Sequence, residues 1–337
     1  MRPDNGRSFE SIPGSPVRVA VVGSGGFAAL HAQAFSENPD CDLVAIVSRT
    51  VERAQTLAES YSVPGAYSSV RELLRSQSVD AVSVVTSGDF HLQPTLEALG
   101  AGASVLLEKP VVMSSAEGRI LSKAAETAPG FVMPAHILRF AAPYVELRQR
   151  LIDGTIGAPR ALSFRRHRTS DHDKFFPDVH PVLMTMIHDI DLALWLTGAT
   201  ASRVNAKQID HPSRSQPIAV WAEVETTDGI LLSFQVSWSL ASGSLPDALE
   251  VIGEGGALSL ALTPRVGDFT PEASPVDDCL TPEAGHGALR EEIRGFIDSV
   301  RFGSPPTTVT LNDALQGISL AEQIIASAEA HRIEENA

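Results

Sequence analysis

Four short clusters hold the residues of this chain best suited to chemistry. The first, Gly23-Ser24-Gly25-Gly26-Phe27-Ala28, is a G-x-G-x-x-A sequence lying between an apolar β-branched run and a helix-like stretch. In that setting the first glycine permits a tight turn, the second lets the backbone approach a pyrophosphate, and the small Ala28 lets the helix pack on the strand. The helix N-terminus then offers free N–H groups and a positive dipole to the phosphates. Ser48-Arg49-Thr50 follows the second apolar run, at the place where an Asp or Glu would accept from the ribose hydroxyls of NAD. A guanidinium with two hydroxyls suits a 2′-phosphate instead, so the expected dinucleotide is NADP(H), with NAD(H) admissible. Glu108-Lys109-Pro110 closes another strand, where open α/β sheets place their ligands. A lysine ammonium there can polarise an alcohol oxygen or relay its proton while hydride leaves the carbon. His188 and Asp191 are three apart on a predicted helix and share a face; the imidazole titrates near neutrality, and the carboxylate can orient it or bind a hydroxyl.

The elements that must position these groups alternate in the first half. Val17-Arg-Val-Ala-Val-Val22, Leu43-Val-Ala-Ile-Val47, Ala81-Val-Ser-Val-Val85, Ser104-Val-Leu-Leu107 and Phe131-Val-Met133 are short continuous apolar runs, as strands buried on both faces of a parallel sheet would be. Helical segments separate them, which is α/β order. After about residue 135 strands dominate. Ala219–Glu225 and Ile230–Trp238 flank Thr226-Thr-Asp-Gly229, and Leu249–Ile252 and Ala257–Leu260 flank Gly253-Glu-Gly-Gly256, two hairpins of an antiparallel sheet. The expected division is a disordered leader over 1–15, a dinucleotide-binding α/β domain over 16–134 and an α+β domain over 135–310. A C-terminal helix over 311–337, capped by Asn312, is expected to pack back on the first domain.

Composition narrows the classes of partner. The 337 residues are 43% hydrophobic and 20% charged, enough for more than one core, and the net charge of −15 repels phosphate backbones and anionic lipid. Neither nucleic acid nor membrane is an expected partner. The polar, Pro-containing N-terminus lacks a signal-like apolar region, and Cys41 and Cys279 stand far apart without metal spacing, so a cytoplasmic protein is expected.

The Gly23 loop, Thr86-Ser-Gly-Asp-Phe-His91, Glu108-Lys109-Pro110, Arg139-Phe140 and Ile187-His188-Asp189-Ile190-Asp191 follow one another in the order seen in the Gfo/Idh/MocA oxidoreductases, the relatives of glucose-fructose oxidoreductase and inositol dehydrogenase. The chain resembles that family over nearly its whole length. The resemblance implies an N-terminal Rossmann domain and an α+β C-terminal domain with a large open antiparallel sheet, assembled as a homodimer or homotetramer. By position it implies that Lys109 is the active-site lysine and His188 the acid or base at the reacting hydroxyl. It further implies that Thr86, His91, Glu108 and Lys109 line the cofactor, and that Lys109, Arg139, Met184, His188 and Asp191 line the substrate, a sugar, inositol or related polyol.

One position departs from the pattern. Four residues before the histidine the family's dehydrogenases commonly carry an Asp, and here Met184 stands, whose thioether neither takes a proton usefully nor binds a hydroxyl strongly. Either the substrate differs there, or a carboxylate such as Asp171, Asp173 or Asp189 substitutes, or turnover has been lost, which is the alternative reading of a cofactor-binding regulatory or scaffold protein. Arg165-Arg166-His167-Arg168, with Asp171-His172-Asp173 and His180, is rich in polar donors and reads either as a substrate wall or, slightly better, as an exposed strand edge bearing protective charges. The His172-Asp173 and His188-Asp189 pairs have no spacing that fixes a metal, and none is expected.

Overall fold

A computed structural model describes residues 15–242, 245–262 and 282–334. The leader expected over 1–15 falls, but for Ser15, outside these residues, as does Cys279. The described residues divide into two compact units: those up to 108, with 120–133 and 293–307, form the first, and those of 109–119, 134–292 and from 308 onward the second.

The first unit is built on a six-stranded sheet of β1 (Val17–Val22), β2 (Cys41–Val47), β3 (Gly65–Tyr67), β4 (Ala81–Val84), β5 (Ser104–Glu108) and β6 (Val132–Ala135). Its helices are α1 (Gly26–Ser36), α2 (Val51–Ser60), α3 (Val70–Ser76), α4 (Leu92–Gly100) and α5 (Ser115–Thr127), of which α5 begins in the second unit. The strand order is β3-β2-β1-β4-β5-β6, with β3 to β5 paired in parallel. This is a Rossmann sheet, and its order reverses between β1 and β4, where such sheets place ligands beyond the strands' carboxyl ends. The β-branched run of β1 is buried almost throughout, as a strand covered on both faces must be.

The second unit contains α6 (Ala142–Ile152), β7 (Pro159–Thr169), the single turn α7 (His172–Phe175), α8 (Ile187–Thr197), β8 (Ala201–Asp210), β9 (Ala219–Thr226), β10 (Leu231–Leu240), β11 (Asp247–Gly253), β12 (Gly256–Leu262), the start of α9 (Pro282–Phe302), α10 (Leu311–Ala330) and β13 (Arg332–Glu334). Its seven strands lie in the order β12-β11-β7-β10-β9-β8-β13. Both hairpins form as expected, and Gly229 at φ 76° supplies the left-handed residue that the β9–β10 turn requires. The sheet is nevertheless mixed, because β10 pairs in parallel with β7 and β13 with β8. Alternation in β9 turns Val220, Ala222 and Val224 inward and Trp221, Glu223 and Glu225 outward.

Two expectations need correction. The C-terminal helix packs on β8 and α8 of the second unit rather than on the first, with Ser327 Oγ accepting from the Ala206 N–H at 2.9 Å. Its cap is Thr310, not Asn312: the Thr310 hydroxyl accepts from Asp313 N at 3.1 Å while the Asp313 carboxylate takes Thr310 N at 3.0 Å, a reciprocal box that Asn312 is not spaced to make. Residues 293–307 return to the first unit, where Phe296 packs edge-on against Phe131 at 6.0 Å and Arg301 pairs with Asp40 at 2.7 Å.

Candidate active site

In the first unit the glycine loop is shaped by close approach. Gly23 sits at φ 142°, and a Cβ there would lie 2.4 Å from the Val85 carbonyl oxygen at the end of the neighbouring strand, so only glycine fits. Ala28 is fully buried beneath that turn. Gly25 caps α1, has no side chain to occupy its first N–H groups, and faces open space where a Cβ would meet nothing within 4 Å. With no acidic residue in the first turn, these donors and the dipole suit the pyrophosphate of a dinucleotide. Ser24 and Ser48 hydroxyls meet at 2.9 Å, joining the loop to the end of β2, and the exposed Arg49 guanidinium lies 3.8 Å over the Phe90 ring.

Thr86, His91 and Glu108 are used inside the unit. Thr86 donates to the Phe90 carbonyl at 3.1 Å, and the buried His91 ring nitrogen lies 2.8 Å from the Thr86 carbonyl, so both shape the turn after β4. The Glu108 carboxylate is 3.2 Å from His31 Nε2, whose Nδ1 is 2.9 Å from Ser83 Oγ. Sequence reading missed His31 and Ser83, which join α1 to β4 and β5; nothing local marks either one. Burial pushes the Cys41 thiol up to about 12, aided by Asp42 and Asp40, which leaves it inert as a nucleophile.

In the second unit Lys109 is nearly buried and donates from Nζ to the Met184 carbonyl at 3.1 Å. Met184 belongs to a π turn, Val182–Met186, that leads directly into α8 and His188. Wider turns of this kind interrupt the regular i+4 ladder and recur at functional sites. The turn is pinned to β10 by the buried Trp238 indole, which donates to Thr185 Oγ1 at 3.0 Å. The part of Met184 that meets the lysine is therefore its backbone.

Arg139 and Asp191, expected at the substrate, are instead bound to each other. Arg139 Nε and a terminal nitrogen donate to the two Asp191 oxygens at 2.9 and 2.7 Å, with both residues buried, and its other nitrogen reaches the Thr308 carbonyl and Asp313. Through Arg139 the Asp191 carboxylate ties α8 to the first turn of α10.

The arginine-rich strand is likewise not an edge. β7 lies inside the sheet, and Arg166 and Arg168 point into a buried network. Arg166 donates to Asp189 at 2.8 Å and to Asp247 at 2.5 Å, and Arg168 grips both Asp247 oxygens at 2.8 and 3.0 Å. Of the carboxylates expected to replace the missing Asp, Asp189 is in this network, Asp171 pairs with Lys174, and Asp173 lies 3.6 Å from Arg214. Burial works against ionised Asp247, but Arg166 and Arg168 prevail and hold it below the usual range, with a smaller contribution from His188. Burial pushes Asp189 up from 3.8 to about 6 against the pull of Arg166. The folded state thus keeps this proton to higher pH than the unfolded chain, and the Asp189 contribution to stability falls as pH rises from about 4 to about 6. Asp189→Asn is expected to flatten that decline. Urea midpoints across the window check it; an unchanged slope refutes it.

Among the described residues no group of three or more His, Cys, Asp or Glu side chains can hold a metal, and no helix is long and apolar enough to cross a membrane.

A glycine turn shaped for close approach at the switch point of a Rossmann sheet defines a dinucleotide-binding fold. The chain belongs to the Gfo/Idh/MocA family: residues 17–136 match its "Oxidoreductase family, NAD-binding Rossmann fold" and 144–259 its "GFO/IDH/MocA C-terminal domain". It is 28% identical over 338 residues to the inositol 2-dehydrogenase/D-chiro-inositol 3-dehydrogenase of Shouchella clausii, covering 94% of this chain and 93% of that protein. It is 29% identical over 205 residues to the D-glucoside 3-dehydrogenase of Escherichia coli, 58% of each chain. The scyllo-inositol dehydrogenase of Lactobacillus casei, solved with NAD(H) and scyllo-inositol, shares the fold with a TM-score of 0.82 at 22% identity, covering 94% of this chain and 98% of that one.

Proposed function

We propose that this protein is an NADP(H)-preferring dehydrogenase that acts on a ring CH–OH of a sugar, an inositol or a related polyol. The observation that carries the reading is Lys109, an ammonium almost removed from water and aimed by the Met184 carbonyl in the segment that leads to His188. Bound nicotinamide supplies or accepts the hydride. The chain's own residues manage the rest. The Gly23 loop and α1 N-terminus hold the pyrophosphate, and Ser48 and Arg49 take the 2′-phosphate. The Lys109 ammonium polarises the substrate oxygen. As the carbon gives up hydride and its C–O bond becomes C=O, the hydroxyl proton passes to the His188 imidazole. The inositol and glucoside dehydrogenases among the relatives support the substrate class. Assembly through the open sheet face, where Trp221, Leu231 and Ile252 are exposed, and a cytoplasmic location complete the proposal.

Fluorescence titration of the purified protein with NADPH and NADH tests the cofactor half, and tighter NADPH binding, by about tenfold or more, is expected from one charge-assisted phosphate contact. A reversed preference removes Arg49 from that role. A panel of inositols, aldoses and glycosides, followed by nicotinamide reduction, tests the substrate half. Met184 favours a second reading, a cofactor-binding protein without turnover, which dinucleotide binding with no active substrate in the panel would select.

A further inference from the structure

Phe90 has no part in the reading above, although it stands beside a residue that does. It closes the one-turn segment Gly88–Phe90 after β4, where its N–H donates to the Ser87 carbonyl at 2.8 Å and its carbonyl accepts from Thr86 at 3.1 Å. The backbone is thereby tied, yet the residue is 44% exposed. Arg49 lies over that ring with its guanidinium carbon 3.8 Å from the centroid, within the range of a cation–π contact. An arginine at the end of β2 otherwise sweeps a wide volume, since four side-chain torsions separate its charge from the backbone.

We propose that Phe90 is a positioning residue for cofactor selectivity: its ring covers one face of the Arg49 guanidinium and fixes its orientation, leaving the opposite face and the N–H edge for the adenosine 2′-phosphate of the dinucleotide. Ordering the arginine before the ligand arrives removes from binding an entropic cost that a free side chain would bear. The protein's overall charge of −15 makes the local cation matter more, because the surroundings as a whole repel a phosphate. The inference rests on the NADP(H) reading.

The test is a set of fluorescence titrations with NADPH and NADH on the wild-type protein, Phe90→Ala, Phe90→Tyr, Arg49→Ala and the double variant. Phe90→Ala is expected to weaken NADPH by about five- to tenfold, from the lost cation–π contact and the freed side chain, and to leave NADH nearly unchanged. Phe90→Tyr restores NADPH affinity, because the ring face is kept. The double variant binds as Arg49→Ala alone, since Phe90 acts through the arginine. If Phe90→Ala binds NADPH normally while Arg49→Ala loses it, the positioning role is refuted and the phosphate role of Arg49 stands. Equal losses for both dinucleotides also refute it, placing the ring in a general adenosine wall. If Arg49→Ala leaves the NADPH to NADH ratio unchanged, the NADP(H) reading itself falls and takes this inference with it.

Discussion

Lys109→Ala is expected to lower kcat by about three orders of magnitude, the middle of the range for a positioned proton-transfer group, while NADPH and NADH bind within about twofold of wild type. The split follows from where the groups lie. The Gly23 turn, the Ser24–Ser48 contact and the Arg49–Phe90 stack are all within the first unit, whereas Lys109 opens the second and bonds to the Met184 carbonyl there. In the proposed mechanism, removing the ammonium leaves the phosphate cradle intact and takes away the group assigned to polarise the oxygen. Lys109→Arg is not expected to rescue, because a planar guanidinium does not occupy the place of a compact ammonium. Steady-state kinetics on the best substrate of the panel, beside a dinucleotide titration, checks both halves. Undiminished turnover in Lys109→Ala would remove the lysine from the mechanism.

Asp247→Ala is expected to cost about 3–5 kcal/mol of stability, the usual loss when one partner of a buried ion pair is removed. In a domain of this size that lowers the thermal midpoint by on the order of 10 °C. Asp247 accepts from both Arg166 and Arg168, and all three are buried on strands β7 and β11. Truncation leaves guanidinium charge in the interior without the carboxylate that both arginines grip. Replacing Asp247 by Leu together with Arg168 by Met is expected to be less damaging than Asp247→Ala, because an apolar pair substitutes for buried charge at little cost. Urea unfolding of the three proteins measures this. A loss below about 1 kcal/mol for Asp247→Ala would mean that water reaches the network and that the pairs are screened as exposed ones are.

Much of the fold was legible because its signals are local. The continuous apolar runs placed five strands of the first sheet, and the Asp228-Gly229 and Gly253–Gly256 turns placed two hairpins, since φ preference and burial on two faces act over a few residues. The partner of a strand is a different matter. β7 and β10 are joined through more than 60 residues of intervening chain, so their parallel pairing, and with it the interior place of β7, left no mark in either segment. Arg166 and Arg168 therefore looked like edge charges until β11 brought Asp247 to them.

The site divides in the same way. The glycine turn and the strand ends that carry Arg49 and Glu108-Lys109-Pro110 were readable by themselves as positions in the fold, because each depends on a residue type at a strand terminus. Only the folded chain decided that Arg139 belongs to Asp191, 52 residues away, and that Glu108 belongs to His31, 77 residues away. Met184 is the clearest case: its side chain signalled a missing carboxylate, while its carbonyl, a group every residue carries, takes the Lys109 ammonium. Side-chain type is written in the sequence; which backbone group a π turn presents, and to whom, is set by tertiary packing.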